Sequence, residues 1–273
     1  MSVCRWQKAV SWLGLGLVGT SGITVTSLSE LRLIQLTQSV SASPRLAEIQ
    51  DVDIPSLAQR TTVRILTPNS SGSGVIVNRQ GQIYTVLTNW HVVGFSEQHR
   101  IMTPDGQSLT PVSHQARQLG NADLATTQFY SSASYEVARI SQEPLLEGER
   151  VYAAGFPMYQ GNTLETTFDQ GIQIFRFTEG EVSLLPPKSL PQGYRLGYTN
   201  EIAVGMSGGP IFNAKGFLIG INGRLKNRDP AFGVYGFADG TEPSAAMLER
   251  MVSSSWGIPI STYLQFVSSD LGN

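Results

Sequence analysis

The chain has 273 residues, enough for one large domain or two small ones. Hydrophobic residues make up 41% and charged residues 15%, and the 28 glycines predict many turns, a balance that excludes a disordered polymer. The net charge of −2 and pI near 5.9 lack the electrostatic footprint of a nucleic-acid binder, so no nucleic-acid partner is expected.

The N-terminus has the pattern of a targeting segment. Arg5 and Lys8 precede an uncharged run from Ala9 to Ser29 rich in Leu, Val, Ile and Gly. A basic flank followed by an apolar stretch predicts a signal peptide or membrane anchor within residues 1–42. Its glycines, serines and threonines make a weak permanent span, which favours cleavage, near Gly22 or after Ala42. The protein is therefore expected outside the cytoplasm: periplasmic, extracellular, or anchored to a membrane through this segment and facing outward. The run also spells Gly14-Leu15-Gly16-Leu17-Val18-Gly19, but no strand precedes it, so the dinucleotide fingerprint lacks the setting that gives it meaning. Cys4, the single cysteine, precedes everything that looks folded, so no disulfide is expected. Residues 43–59 mix Ser, Pro, Gln and charges without periodicity and read as a linker or arm.

From Thr61 onward short β-favouring runs alternate with turn signals. The first series comprises Thr61–Thr67, Gly74–Asn78, Gln82–Thr88, Arg100–Thr103, Leu124–Phe129 and Glu136–Ile140. The second comprises Arg150–Ala154, Gly171–Phe177, Glu181–Leu185, Tyr194–Tyr198, Pro210–Asn213, Phe217–Asn222 and Gly233–Phe237. Only Ser244–Ser253 and Ile260–Val267 read as helices. About a dozen short strands with little helix between them predict an all-β domain over residues 60–270. A break near Pro144–Gly148 divides it into halves of about 60–145 and 148–270.

The most informative stretch is Gly205-Met206-Ser207-Gly208-Gly209-Pro210. Glycines around a serine permit a sharp turn and let consecutive N–H groups converge, which suits an exposed nucleophilic hydroxyl. His91 ends a strongly β-patterned segment, and Asp123 stands immediately before another. Taken singly, such a histidine packs or faces water and such an aspartate makes a turn. In the order His, Asp, Ser they match one of the convergent hydrolase arrangements. His99 and His114 lie in polar loops and are expected at the surface. Neither a His-Glu-x-x-His run nor Cys/His spacing is present, so no metal and no cofactor are expected.

Four motifs in order carry a family resemblance: Ser71-Gly-Ser-Gly-Val-Ile-Val77, Leu87-Thr-Asn-Trp-His-Val-Val93, Ala122-Asp-Leu-Ala125 and the serine hexapeptide, followed by the strand Gly216–Asn222. Together they resemble the chymotrypsin-fold, trypsin-like serine proteases, in their bacterial HtrA-like branch. The resemblance implies two six-stranded antiparallel β-barrels with short C-terminal helices. It implies a serine endopeptidase acting on protein or peptide substrates, with Ser207 as nucleophile, His91 as general base and Asp123 orienting the imidazole. The backbone N–H groups of Gly205 and Ser207 would form the oxyanion hole. An inactive binding protein of the same fold and an esterase using the same residues are the alternatives.

Two departures follow from comparison with digestive trypsins. Met206 stands where those enzymes carry the aspartate that pairs with a newly freed N-terminal amine, and a thioether cannot make that pair. Counting back six residues from the serine makes Glu201 the candidate for the base of the primary specificity pocket. Pointing inward, it would favour Lys or Arg in the substrate; on the flanking loop it would be merely solvated, with Ile202, Ala203 and Val204 suggesting small or apolar side chains. The stretch after Ser207 is too short for the peptide-binding domain that HtrA proteins append, so a stand-alone protease domain is expected.

Overall fold

The computed structural model describes residues 52–270 apart from residues 97, 114, 162 and 233. The targeting segment, Cys4, His114 and residues 43–51 of the expected linker lie outside the described residues.

The remainder of that linker is a helix. In α1, Ile54–Thr61, the Asp53 carboxylate caps the first turn by accepting from Ser56 N at 3.2 Å, and Pro55 occupies an early position where no backbone donor is needed. Ile54, Leu57, Ala58 and Thr61 are buried along one face at helical spacing. The polar composition of the segment hid this short stripe.

The first half is a seven-stranded antiparallel sheet rather than a six-stranded one. Its strands are β1 Thr62–Leu66, β2 Ser71–Gln80, β3 Ile83–Thr88, β4 Arg100–Met102, β5 Ser108–Leu109, β6 Arg117–Gln118 and β7 Ala125–Tyr130. They run in the order β5-β4-β1-β2-β3-β7-β6, and a bridge from Pro111 to Phe129 brings the chain after β5 against β7. The two end strands are only two residues long, too short to register as alternating patterns. The interior is filled by Val63, Ile65, Ile76, Val86, Ile101 and a Tyr84–Phe129 stack with ring centroids 5.1 Å apart. After β3 the chain makes a single helical turn, α2 Trp90–Val93.

The second half is a closed six-stranded barrel, which leaves no sheet edge to solvent. Its strands are β8 Arg150–Gly155, β9 Arg176–Leu184, β10 Leu196–Tyr198, β11 Pro210–Asn213, β12 Leu218–Arg224 and β13 Ser255–Pro259, ordered β10-β13-β12-β11-β8-β9. Helices α3 Ala245–Val252 and α4 Ile260–Asp270 flank β13. The fold is thus of the two-lobed, all-β trypsin type with short C-terminal helices.

Three expected strands take other forms. Glu136–Ile140 makes only one parallel bridge, from Ile140 to Leu218. The segment from 171 begins with turns, Gly171 standing at φ 60°, before β9 starts at Arg176 and runs unbroken through the second expected strand. The described part of 233–237 is turn rather than strand.

One core runs beneath both halves. Val75, Leu87 and Leu124 belong to the same buried cluster as Phe212, Leu218 and Trp256. Hydrogen bonds cross at the same level: Ser73 N donates to Ser207 O at 2.8 Å, and Asp123 N donates to Gln192 O at 2.9 Å. These seams fix loops from one half against loops from the other, and the site lies among them.

Candidate active site

His91 is the second residue of α2 and its side chain is partly exposed, whereas Asp123, in the turn preceding β7, is 3% exposed. Asp123 Oδ1 accepts from His91 N at 2.8 Å, and Oδ2 lies 2.6 Å from His91 Nδ1. The side chain of Asn89 donates to Asp123 O at 2.8 Å, pinning the same turn.

A fourth residue completes this network, and its position in the sequence gave no sign of it. Tyr194 is 1% exposed, and its hydroxyl donates to Asp123 Oδ2 at 2.5 Å. Burial and the neighbouring carboxylate push the phenol well above its ordinary range, so it stays protonated and is the donor. Burial pushes the Asp123 carboxyl upward, but the His91 ring, its charge, the Tyr194 hydroxyl and the His91 amide outweigh burial and hold it below its ordinary value. Because Asp123 is ionised and can only accept, His91 Nδ1 must carry the proton. In the neutral ring that leaves Nε2 with a free lone pair.

Gly223 makes room for this arrangement. A Cβ there would lie 2.3 Å from the Tyr194 ring and 2.4 Å from its hydroxyl oxygen. Arg224 also packs on Tyr194, its guanidinium carbon 4.1 Å from the ring centroid. The turn that delivers Tyr194 contains Gln192 at φ 66°, a left-handed conformation uncommon for a side-chain-bearing residue. Gln192 supplies the carbonyl that receives Asp123 N.

Ser207 shares a cleft of about 520 Å³ with His91, Asp123, Tyr194 and Arg224. Its hydroxyl donates to Gly223 O at 3.2 Å, and no Ser207–His91 hydrogen bond forms among the described contacts. The turn around it is locked from the first half: Ser73 Oγ donates to Gly205 O at 2.8 Å and accepts from Phe156 N at 2.9 Å. Gly205 and Gly208 have φ of 96° and 85°, and a Cβ on Gly208 would lie 2.1 Å from Ser73 O.

The backbone donors of this turn divide into two sets. Met206 N, Gly208 N and Gly209 N donate to Ala203 O, Asn222 O and Met206 O, respectively. No described partner takes Gly205 N or Ser207 N. Val204 O accepts from Met158 N at 2.7 Å. A trans peptide directs its N–H opposite to its C=O, so the Gly205 N–H faces away from Met158.

Two further residues singled out in the sequence lie away from this cluster. Glu201 is exposed and ion-paired with Lys226, and it is not among the residues lining the cleft. His99 is buried rather than at the surface: it is 5% exposed, its Nε2 lies 3.0 Å from Thr127 Oγ1, and burial lowers its pKa. Among the described residues no group of three His, Cys, Asp or Glu side chains is placed to hold a metal ion.

Residues 72–221 match the family model described as the trypsin-like peptidase domain. The chain is 29% identical over 191 residues to a protein named serine protease Do-like HtrA from Bacillus subtilis (strain 168), a match covering 68% of this chain and 40% of that protein. It is 26% identical over 254 residues to a probable periplasmic serine endoprotease DegP-like from Ectopseudomonas mendocina (strain ymp), covering 86% and 48%. Serine protease HTRA1 of Xenopus laevis is 27% identical over 188 residues, covering 65% and 38%. The chain thus spans less than half the length of these curated relatives.

Proposed function

The chain belongs to the trypsin-like peptidase domain family, and from that premise we propose that it is a serine endopeptidase working through Ser207, His91 and Asp123. The observation that carries the reading is the His91–Asp123–Tyr194 network opening onto the cleft that holds Ser207. Rotation about the Ser207 Cα–Cβ bond moves Oγ from the Gly223 carbonyl toward His91 Nε2, a change that substrate binding supplies in many hydrolases. His91 takes the hydroxyl proton as Oγ attacks the peptide carbonyl, and Asp123 stabilises the imidazolium without accepting that proton. The proton then passes to the departing amine, leaving an acyl-enzyme ester on Ser207. Water enters, His91 takes its proton, and hydrolysis of the ester returns Ser207.

The uncommitted N–H groups of Gly205 and Ser207 are the donors proposed for the oxyanion. Each such donor contributes about 3 kcal/mol to transition-state stabilisation. Met158, by holding Val204 O, keeps the Gly205 N–H turned toward this role. Glu201, exposed and paired, is not the specificity determinant in this reading. The two lobes, about 60–145 and 148–270, each supply part of the site.

Protein or peptide substrates outside the cytoplasm are proposed, on the family, on the periplasmic relatives and on the basic-apolar N-terminus. Ser207→Ala should retain the fold, read by circular dichroism, while peptide hydrolysis falls by roughly a millionfold. Unchanged hydrolysis by that variant would remove Ser207 from the mechanism.

A further inference from the structure

The catalytic cleft has an uneven charge. Among its described lining residues Asp123 is the sole carboxylate, and it is already bound to His91 and Tyr194. Against it stand two guanidinium groups, Arg224 and Arg228, both lining the same cleft. Neither forms a salt bridge among the described residues. By contrast, their neighbour Lys226 is neutralised by Glu201.

Arg224 is held in place without being neutralised. Its Nη1 donates to Val234 O at 3.3 Å, and its Nη2 donates to Pro191 O and Gln192 Oε1, both at 3.2 Å. These acceptors are all uncharged, and the Tyr194 hydroxyl and the Asp123 carboxylate, itself committed to His91 and Tyr194, favour the Arg224 charge from nearby without forming a salt bridge to it. Its position over the Tyr194 ring, 4.1 Å from the centroid, holds the guanidinium at the wall of the cleft. Arg228 is exposed and close enough for its charge to disfavour the charge on Arg224, alongside the effect of burial. Two like charges facing one cleft repel each other, and a bound anion relieves that repulsion.

We propose that Arg224 and Arg228 select substrates carrying an acidic side chain within three residues of the cleaved bond. The inference rests on the endopeptidase reading of the same cleft and adds a substrate class to it. A carboxylate between the two arginines would make charge-assisted hydrogen bonds to a pre-oriented Arg224 and gain the attraction of Arg228. The amide of Gln or Asn has the same shape and accepts a hydrogen bond, but it carries no charge and so lacks the charge-assisted part of the attraction.

The test uses the full-length protein and paired peptides differing only by Glu versus Gln at each of the three positions on either side of a cleaved bond. At one position or more, kcat/KM for the Glu peptide should exceed that for its Gln partner by at least about tenfold. The ratio should shrink as salt is raised. Arg228→Gln should reduce the ratio several-fold, and Arg228→Glu should turn the preference toward a Lys peptide. Equal cleavage of Glu and Gln peptides at every position would overturn the specificity inference and leave the endopeptidase reading standing. A ratio unmoved in both Arg228 variants would also overturn it. Cleavage of neither peptide by folded protein would overturn both.

Discussion

At the residue scale, Asp123 is where most of the site's organisation converges. Its two carboxylate oxygens receive three hydrogen bonds, two from His91 and one from Tyr194. The depressed pKa means that Asp123 remains ionised below its ordinary titration range, about pH 3.9. Its contribution to stability is therefore present above the unfolded-state value and is lost as pH falls through the lower folded one. Tyr194→Phe keeps the ring on Arg224 but removes one donor, raising the carboxyl's folded pKa. Acid unfolding, followed by fluorescence, should begin at higher pH in that variant. With one donor to the carboxylate gone, kcat at neutral pH should fall about tenfold while KM changes little. An unchanged onset of acid unfolding together with an unchanged kcat would make Tyr194 a packing residue only.

At the scale of elements, the site depends on loops tied down by residues far away in the chain. Arg64 in β1 is fully buried and reaches the 157–171 loop of the second half. Its Nη1 donates to Thr167 O at 2.9 Å and Gly171 O at 2.7 Å, and its Nη2 donates to Thr167 Oγ1 at 2.9 Å. Thr167 N in turn donates to Met158 O at 3.0 Å, and Met158 N holds Val204 O. A chain of contacts therefore runs from a strand of the first half to the peptide carrying the Gly205 N–H. Arg64→Met removes charge-assisted bonds and leaves buried carbonyls unpaired, at a cost of roughly 3 kcal/mol. Denaturant unfolding should show that loss, and kcat should fall more than KM rises, because the developing oxyanion loses an ordered donor. A stability loss with kcat intact would break the proposed link between Arg64 and the oxyanion site.

These dependencies mark what was readable in the sequence. The motifs around His91, Asp123 and Ser207 are local: a strand end, a turn and a glycine-bracketed serine, each recognisable within ten residues. The groups supporting them are not. Tyr194 lies 71 positions from Asp123, Thr167 lies 103 from Arg64, and Ser73 lies 132 from Gly205. None belongs to a residue type that announces such a role. Counting back from the serine reaches Glu201 but does not give its orientation, and in the structure it stands exposed and paired with Lys226. β13, the five-residue strand between α3 and α4, was missed because Trp256, Ile258 and the glycine between them set no clear period.

For the whole molecule, the all-β, two-lobed architecture was legible because turn residues punctuate nearly every strand. The seven-strand count of the first sheet was not, since β5 and β6 are each a two-residue pairing set by tertiary contact. In the proposed mechanism the two lobes matter together because each contributes what the other lacks: His91 and Asp123 from the first, Ser207, Tyr194 and the proposed backbone donors from the second. The central claim is that this assembly activates Ser207. Reaction of the folded, full-length protein with a serine-directed phosphonylating probe at neutral pH, mapped by peptide mass spectrometry, tests it most directly. The account predicts one adduct per chain, located on Ser207 and abolished by both Ser207→Ala and His91→Ala; no adduct on the folded protein, or an adduct that persists in His91→Ala, would contradict it.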